Sequence, residues 1–235
     1  MGNRFGRSVR RSALALMVAA GLVGVTGAAQ ATLMGRDLDG IPATFEAYYD
    51  DVLHITWLKD ANYAKTSGFD ADGAMMWASA KSWATSLVFD GLSGWRLPTL
   101  SSISPTPALY NCNPGAGGIA AACAASGNEL GYMFYYNLGG VSGSTIGTTH
   151  NANYNDFVNI QNDYYWSGTE LDSTGVWLFG FGNGAQSTVF KTGPSFYFGW
   201  AVHPGDVVAA APEPASLLLM GLGLAGLGFS RRKKA

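Results

Sequence analysis

Three features of the sequence predict an α+β fold: alternating polarity through Leu53-His54-Ile55-Thr56-Trp57, apolar residues at helical spacing from Ala74 to Phe89, and an Asn183-Gly184 hairpin signal inside an aromatic run. The first segment reads as a strand from Tyr48 to Leu58, with Leu53, Ile55 and Trp57 on one face, ended by Asp60-Ala61-Asn62. In the second, Met76, Ala80, Trp83, Ala84 and Leu87 recur at the helical period, with Asp72 as cap and Gly91 as stop. This predicts an amphipathic helix packed on a sheet. A shorter helix is expected over Glu129 to Leu138, where Leu130, Met133, Phe134 and Leu138 share a side. The stretch from Gly94 to Gly127 is rich in loops, and the Gly, Ser, Thr and Asn of 139–155 read as a long exposed loop. The last third reads as an antiparallel meander. Asp163 to Ser167 leads into Gly168-Thr169-Glu170, and Trp177, Phe179 and Phe181 alternate up to the hairpin. Return strands follow at Gln186 to Lys191 and Phe196 to His203, with the alternating aromatics on a core face.

The two ends carry a different message. Arg4, Arg7, Arg10 and Arg11 precede an apolar helix-forming stretch from Ala13 to Val25, and Ala29-Gln30-Ala31 places small residues where signal peptidase cuts. Residues 1–31 are therefore expected to be a signal peptide, cleaved between Ala31 and Thr32. At the other end stand Pro212-Glu213-Pro214, an apolar run from Ala215 to Phe229, and the basic cluster Arg231, Arg232, Lys233 and Lys234. As a helix the run rises about 22 Å, short of the ~30 Å hydrocarbon core, which suits a temporary stop better than a permanent anchor. Basic residues stay on the cytoplasmic side, so everything before Pro212 is placed outside. The two prolines keep the approach to the membrane extended and open to a processing enzyme.

In order and position, residues 212–235 resemble a PEP-CTERM sorting signal. The resemblance implies recognition and removal of the tail by an exosortase, a membrane transpeptidase-like enzyme of bacteria that produce exopolysaccharide. It also implies transient inner-membrane association through 215–229, followed by release to the cell surface or extracellular matrix.

Without the two ends, residues 32–211 hold six basic residues, Arg36, Lys59, Lys65, Lys81, Arg96 and Lys191, against 15 acidic ones, a formal charge of −9. Such a surface argues against nucleic acid and other polyanions, and suits cations, neutral glycans or plain solubility. The length fits one domain with a substantial core, to which seven Trp contribute. Cys112 and Cys123 are the only cysteines, and in an exported chain they predict one loop-closing disulfide. Such a short closure is worth roughly 2–3 kcal/mol, a local staple. With no Cys-x-x-Cys and no nearby His, the pair signals neither redox nor metal chemistry.

Several segments form a series: Ile55-Thr56-Trp57-Leu58-Lys59-Asp60-Ala61-Asn62, Gly94-Trp95-Arg96-Leu97-Pro98-Thr99, Tyr165-Trp166-Ser167-Gly168-Thr169-Glu170, the Trp177 to Gly184 hairpin, and Phe198-Gly199-Trp200-Ala201-Val202. This series resembles the Lcl C-terminal domain family over roughly residues 45–206. The resemblance implies a C-type-lectin-like fold with two helices beside twisted antiparallel sheets. It makes Trp95, Arg96, Pro98, Trp166 and Glu170 scaffold positions, with Pro98 fixing the exit from a strand and Arg96 pairing Glu170 across the sheet. A family member binds sulfated glycosaminoglycans beside a collagen-like stalk. Here no Gly-x-y repeat occurs and the acidic domain repels sulfated polymers, so that ligand does not carry over.

Catalysis is not signalled. His54, His150 and His203 are far apart and lack His-Glu-x-x-His spacing, and no Gly-x-Ser-x-Gly elbow or phosphate-cradling Gly-rich loop occurs. Asp37-Leu38-Asp39-Gly40 and Asp70-Ala71-Asp72-Gly73 each place two carboxylates before a glycine, the nearest approach to a calcium loop. Both lack the further ligands of an EF-hand, so turn use is predicted and no cofactor is expected. The expectation is an exported, non-catalytic module that binds the cell's own exopolysaccharide through aromatics near the 139–155 loop. A matrix protein without a specific ligand is the alternative, and a polysaccharide-acting enzyme a distant third.

Overall fold

A computed structural model describes residues 32–41, 43–100 and 112–207. Both predicted processing segments lie outside these residues, including Ala31, Pro212, Glu213, Pro214 and Arg231 to Lys234. Within the described part the α+β class holds. Strands β1 (Leu33–Arg36), β2 (Ala47–Asp50), β3 (Ile55–Leu58) and β9 (Val202–Pro204) form an antiparallel sheet in the order β1-β2-β3-β9. A second sheet has the order β4-β8-β5-β6-β7, from Ala74–Met75, Tyr197–Phe198, Tyr164–Glu170, Gly175–Gly180 and Gln186–Phe190. Its pairings are antiparallel except β5 with β8, which run parallel at Tyr165 and Phe198. The last third is therefore not a plain meander. The predicted return strand 196–203 splits between the two sheets, and the fully buried Trp200 marks the crossing. Its indole donates to Leu58 O at 2.7 Å, tying the crossover to β3.

The predicted strand over 48–58 is likewise two strands. Asp50 turns the chain by accepting from the backbone N–H groups of Val52 and Leu53 at 2.9 and 2.8 Å, and His54 takes the left-handed conformation with φ 54°. Side-chain acceptors of this kind make tight turns where hydrophobic alternation alone shows a continuous strand.

Helix α2 (Trp77–Ser86) buries Ala80, Trp83 and Ala84 of the predicted face and adds Trp77, while Met76, 43% exposed, and Leu87 fall outside the helix, which is shorter than its pattern at both ends. Asp72 does not cap it; its carboxylate accepts from Ala74 N–H at 2.9 Å, in the turn before β4. Gly91 does not stop it either. The helix ends at Ser86, and Asp90-Gly91, with φ of 47° and 80°, form the centre of a tight turn closed by Phe89 and Leu92 hydrogen bonds of 2.9 and 2.8 Å. The stretch read as loop holds a short helix α3 (Ala120–Ala125), and the predicted helix at 129 is present as α4 (Glu129–Tyr132) continuing into a π turn over Met133–Asn137. Asn128 caps α4 by accepting from Gly131 N–H. Before α2, helix α1 (Tyr63–Thr66) occupies one turn after β3.

Two apolar clusters fill the interior, one on each side of the strands. Ile55 and Trp57 belong to one and Leu58 to the other; Tyr165 and Trp166 divide the same way, as do Phe179 and Leu178. Strands buried on both faces explain why all seven Trp are inside, none more than 8% exposed. The predicted core face of Trp177, Phe179 and Phe181 is therefore observed.

Cys112 and Cys123 are joined in a disulfide, with Cα atoms 4.8 Å apart. The 139–155 segment lies on the surface but is stitched to the body. Ile146 is fully buried and its N–H donates to Phe181 O at 2.8 Å, while the side-chain amides of Asn151 and Asn153 both donate to Asn137 O.

Candidate functional site

The scaffold residues hold the fold rather than a site. Trp95 and Trp166 are buried, and their indoles donate to Leu92 O and Met75 O. Pro98 accepts from Gly168 N–H at 2.8 Å, joining its segment to β5. Arg96 does not pair with Glu170, which corrects the expectation. Its guanidinium grips Glu129 with two bonds, 2.8 and 2.7 Å, and the same carboxylate accepts from Thr99 N–H at 2.7 Å. Arg96 also bridges to Val202 through its backbone, so it extends the first sheet beside β9 and points towards α4 rather than towards β5. Glu170 instead joins Lys81 at 3.3 Å and Lys191 at 2.6 Å, over the ring of Trp77. These two lysines hold the Glu170 carboxyl below the ordinary range.

The surface feature richest in chemistry is an open cleft of about 310 Å³ at the outer end of β2 and β3. Three rings line it. Phe45, 42% exposed, lies over Gly35, where any Cβ would come within 2.4 Å of the ring. Tyr63 from α1 meets Phe89 edge-on at 5.1 Å, and Phe89 is backed in turn by Trp95. The sequence places these rings 18 to 44 positions apart in the residues 45, 63 and 89, and only the folding of α1 and the Phe89 turn onto β3 assembles them.

Two carboxylates stand among the rings. Asp60 is held by three donors, Asn62 N–H at 2.8 Å, the Thr66 hydroxyl at 2.6 Å and the Asn159 amide at 2.9 Å. Glu46 accepts from Leu38 N–H at 2.8 Å, and its carboxylate comes within 4.8 Å of those of Asp37 and Asp39. The Asp37 and Asp39 carboxylates accept from Gly40 and Ile41 N–H, and Asp70 from Asp72 and Gly73, so both Asp-x-Asp-Gly segments make the predicted turns. Burial pushes Asp90 above the ordinary carboxylate range, and the negative charges of Asp39 and Glu46 push it further. Burial does the same to the Tyr63 phenol, reinforced by Asp90 and Asp60. Two acidic residues, Glu46 and Asp60, and one basic residue, Lys59, line the cleft.

Backbone strain collects here too. Among the described residues the non-glycine positions with positive φ are Ala43, His54, Asp90 and Asn159, and three of the four adjoin the cleft-lining Thr44, Phe89 and Val158. A larger groove of about 420 Å³ runs over α2 between the exposed Phe69 and Phe196, with a single carboxylate, Asp70, in its lining. The 139–155 loop offers a single aromatic feature, His150 stacked on Tyr154 at 4.0 Å. No cluster of exposed aromatics stands beside that loop; at the cleft Phe45 is exposed, while Tyr63 and Phe89 are half-buried against the core. What the sequence lacked was the Phe89 turn; Asp90-Gly91 is the dipeptide that could have revealed it.

Against known families, residues 210–233 match the PEP-CTERM protein-sorting motif. The chain carries an exosortase sorting signal. A protein with this signal is exported, recognised by an exosortase at the membrane and delivered to the cell surface or extracellular matrix. No curated protein matches the chain. Among the described residues no helix is long and apolar enough to cross a membrane.

Proposed function

We propose that the sorted protein is a non-catalytic binding module whose Phe45–Tyr63–Phe89 cleft holds a segment of exopolysaccharide. The carrying observation is the presence of three rings and two carboxylates held by hydrogen bonds in one open cleft. Aromatic faces suit the C–H faces of a pyranose, and the Asp60 and Glu46 carboxylates suit its hydroxyl groups. A C-type-lectin-like fold, which the sequence resemblance to the Lcl C-terminal family implies, would accord with this reading, and the acidic composition disfavours sulfated chains. Non-catalytic use is supported by the histidines, each engaged separately: His54 with Tyr49, His150 with Ile146 O and His203 with Ser93 O. No cofactor enters this reading, and export brings the chain to signal peptidase and exosortase before the exopolysaccharide.

Calorimetry of the full chain in mild detergent against polysaccharide from the producing organism, with and without calcium, is the test. Saturable binding that Phe45→Ala abolishes is the expected result. Absence of binding in both conditions would favour a matrix constituent without a specific ligand, a reading that the burial of every Trp also supports. Release of reducing ends during the titration would instead favour a polysaccharide-acting enzyme.

A further inference from the structure

We infer that the Phe45–Tyr63–Phe89 cleft selects sugars that carry a free ammonium group, as in a partly deacetylated amino-sugar polymer. The inference rests on the glycan reading above and adds the charge of the ligand to it. Its ground is charge complementarity at a built cleft. The rings of Phe45, Tyr63 and Phe89 line it together with the acidic Glu46 and Asp60. Asp90 follows the lining Phe89, and besides burial the charges of Asp39 and Glu46 disfavour its ionisation. A neutral sugar leaves that repulsion in place. An ammonium relieves it while facing the rings, the arrangement by which aromatic cages hold cations. Asp60 is already oriented by its three donors, so its carboxylate needs no reordering on binding.

Lys59 makes the inference sharp. It also lines the cleft, and it takes part in none of the ion pairs among the described residues. Its charge opposes a cationic ligand and assists an anionic one. Removing it should therefore strengthen binding of an amine, a gain that misfolding cannot produce.

The test is calorimetry of the full chain in mild detergent with three probes: a glucosamine oligomer, an N-acetylglucosamine oligomer of equal length, and a lysine oligomer. The glucosamine oligomer is expected to bind about tenfold more tightly than the acetylated one, with affinity falling as salt rises. Lys59→Met should tighten the glucosamine complex about threefold, and Glu46→Gln should weaken it by a similar factor, each close to one exposed charge pair. Equal binding of the two sugars, unmoved by Lys59→Met, would overturn the charge inference and leave the glycan reading standing. Binding of the lysine oligomer as tight as that of the glucosamine oligomer would overturn the sugar as source of the ammonium. Failure of both sugars would overturn the glycan reading as well, and glucosamine binding insensitive to Phe45→Ala would overturn the site.

Discussion

Two ion-pair centres of the same nominal kind behave as opposites. At one, Arg96 and Glu129 meet in a two-pronged pair with side chains 30% and 9% exposed, and Glu129 also accepts from Thr99 N–H. At the other, Glu170 is 45% exposed on its side chain and shares itself between Lys81 and Lys191. The first joins the strand-like Arg96 segment to the start of α4 across 33 residues, with the Glu129 carboxylate largely shielded from solvent. The second sits on the surface, where water and salt do replace it. Opposite charge is common to both, so burial and geometry decide which one the fold depends on.

The comparison can be broken hardest at Glu129. Glu129→Ala strands the Arg96 guanidinium and Thr99 N–H together and should cost about 3 kcal/mol, the scale of a partly buried pair losing one partner. Chemical unfolding of the chain measures it; a cost as small as that of Glu170→Gln would erase the distinction. Second in size is Cys123→Ser. The disulfide closes a loop of 11 residues, and the carbonyl of the α4 cap Asn128 lies 3.7 Å from Cys123 Sγ. Its loss should cost roughly 2–3 kcal/mol. The loss should couple with Glu129→Ala in a double-mutant cycle, because both fix the start of α4.

Asp50 sharpens the comparison as a buried carboxylate without a cation. It accepts from Val52 N–H, Leu53 N–H and the Asn137 amide, yet burial outweighs these bonds and pushes its carboxyl above the ordinary range. Folding therefore favours its proton. That contribution is complete below the unfolded carboxylate pKa and is lost as pH rises through the raised folded value. Asp50→Asn should flatten this part of the stability profile, since an amide does not titrate; its NH2 takes the place of the oxygen that faces the Asn137 amide, whose flip would present Oδ1, a buried atom without a hydrogen-bond partner, as the acceptor. A profile unchanged between pH 3 and 7, on the order of the ordinary carboxylate range and above, would refute the assignment.

The smallest effect is expected at Glu170→Gln. Its carboxyl is held low by the lysines, so any stability it adds is present above the unfolded carboxylate range and fades as pH falls through the folded value. The melting temperature at neutral pH and moderate salt should not move measurably. Lys191→Met should lower it more, because the Lys191 ammonium also donates to Asp172 O and Ser173 O at 2.7 and 3.2 Å.

Features that depend on local spacing are legible in the chain alone. The sorting signal is a linear order of prolines, apolar run and basic cluster, and needs no fold to be read. The buried face of α2, the aromatic core face of β6, the pairing of Cys112 with Cys123 and the turn use of Asp37, Asp39, Asp70 and Asp72 follow from periodicity, cysteine count and short-range side-chain acceptors. Tertiary structure decided what depends on distant partners. The two-sided burial that took every Trp inside came from strands shared by two cores, which alternation along a single strand does not disclose. Arg96 chose Glu129 because its backbone joins β9 and turns the guanidinium towards α4. The cleft exists because β3, α1 and the Phe89 turn bring rings from three separate segments to one rim, and hydrophobic patterning records that a residue is apolar without recording which neighbours it will meet.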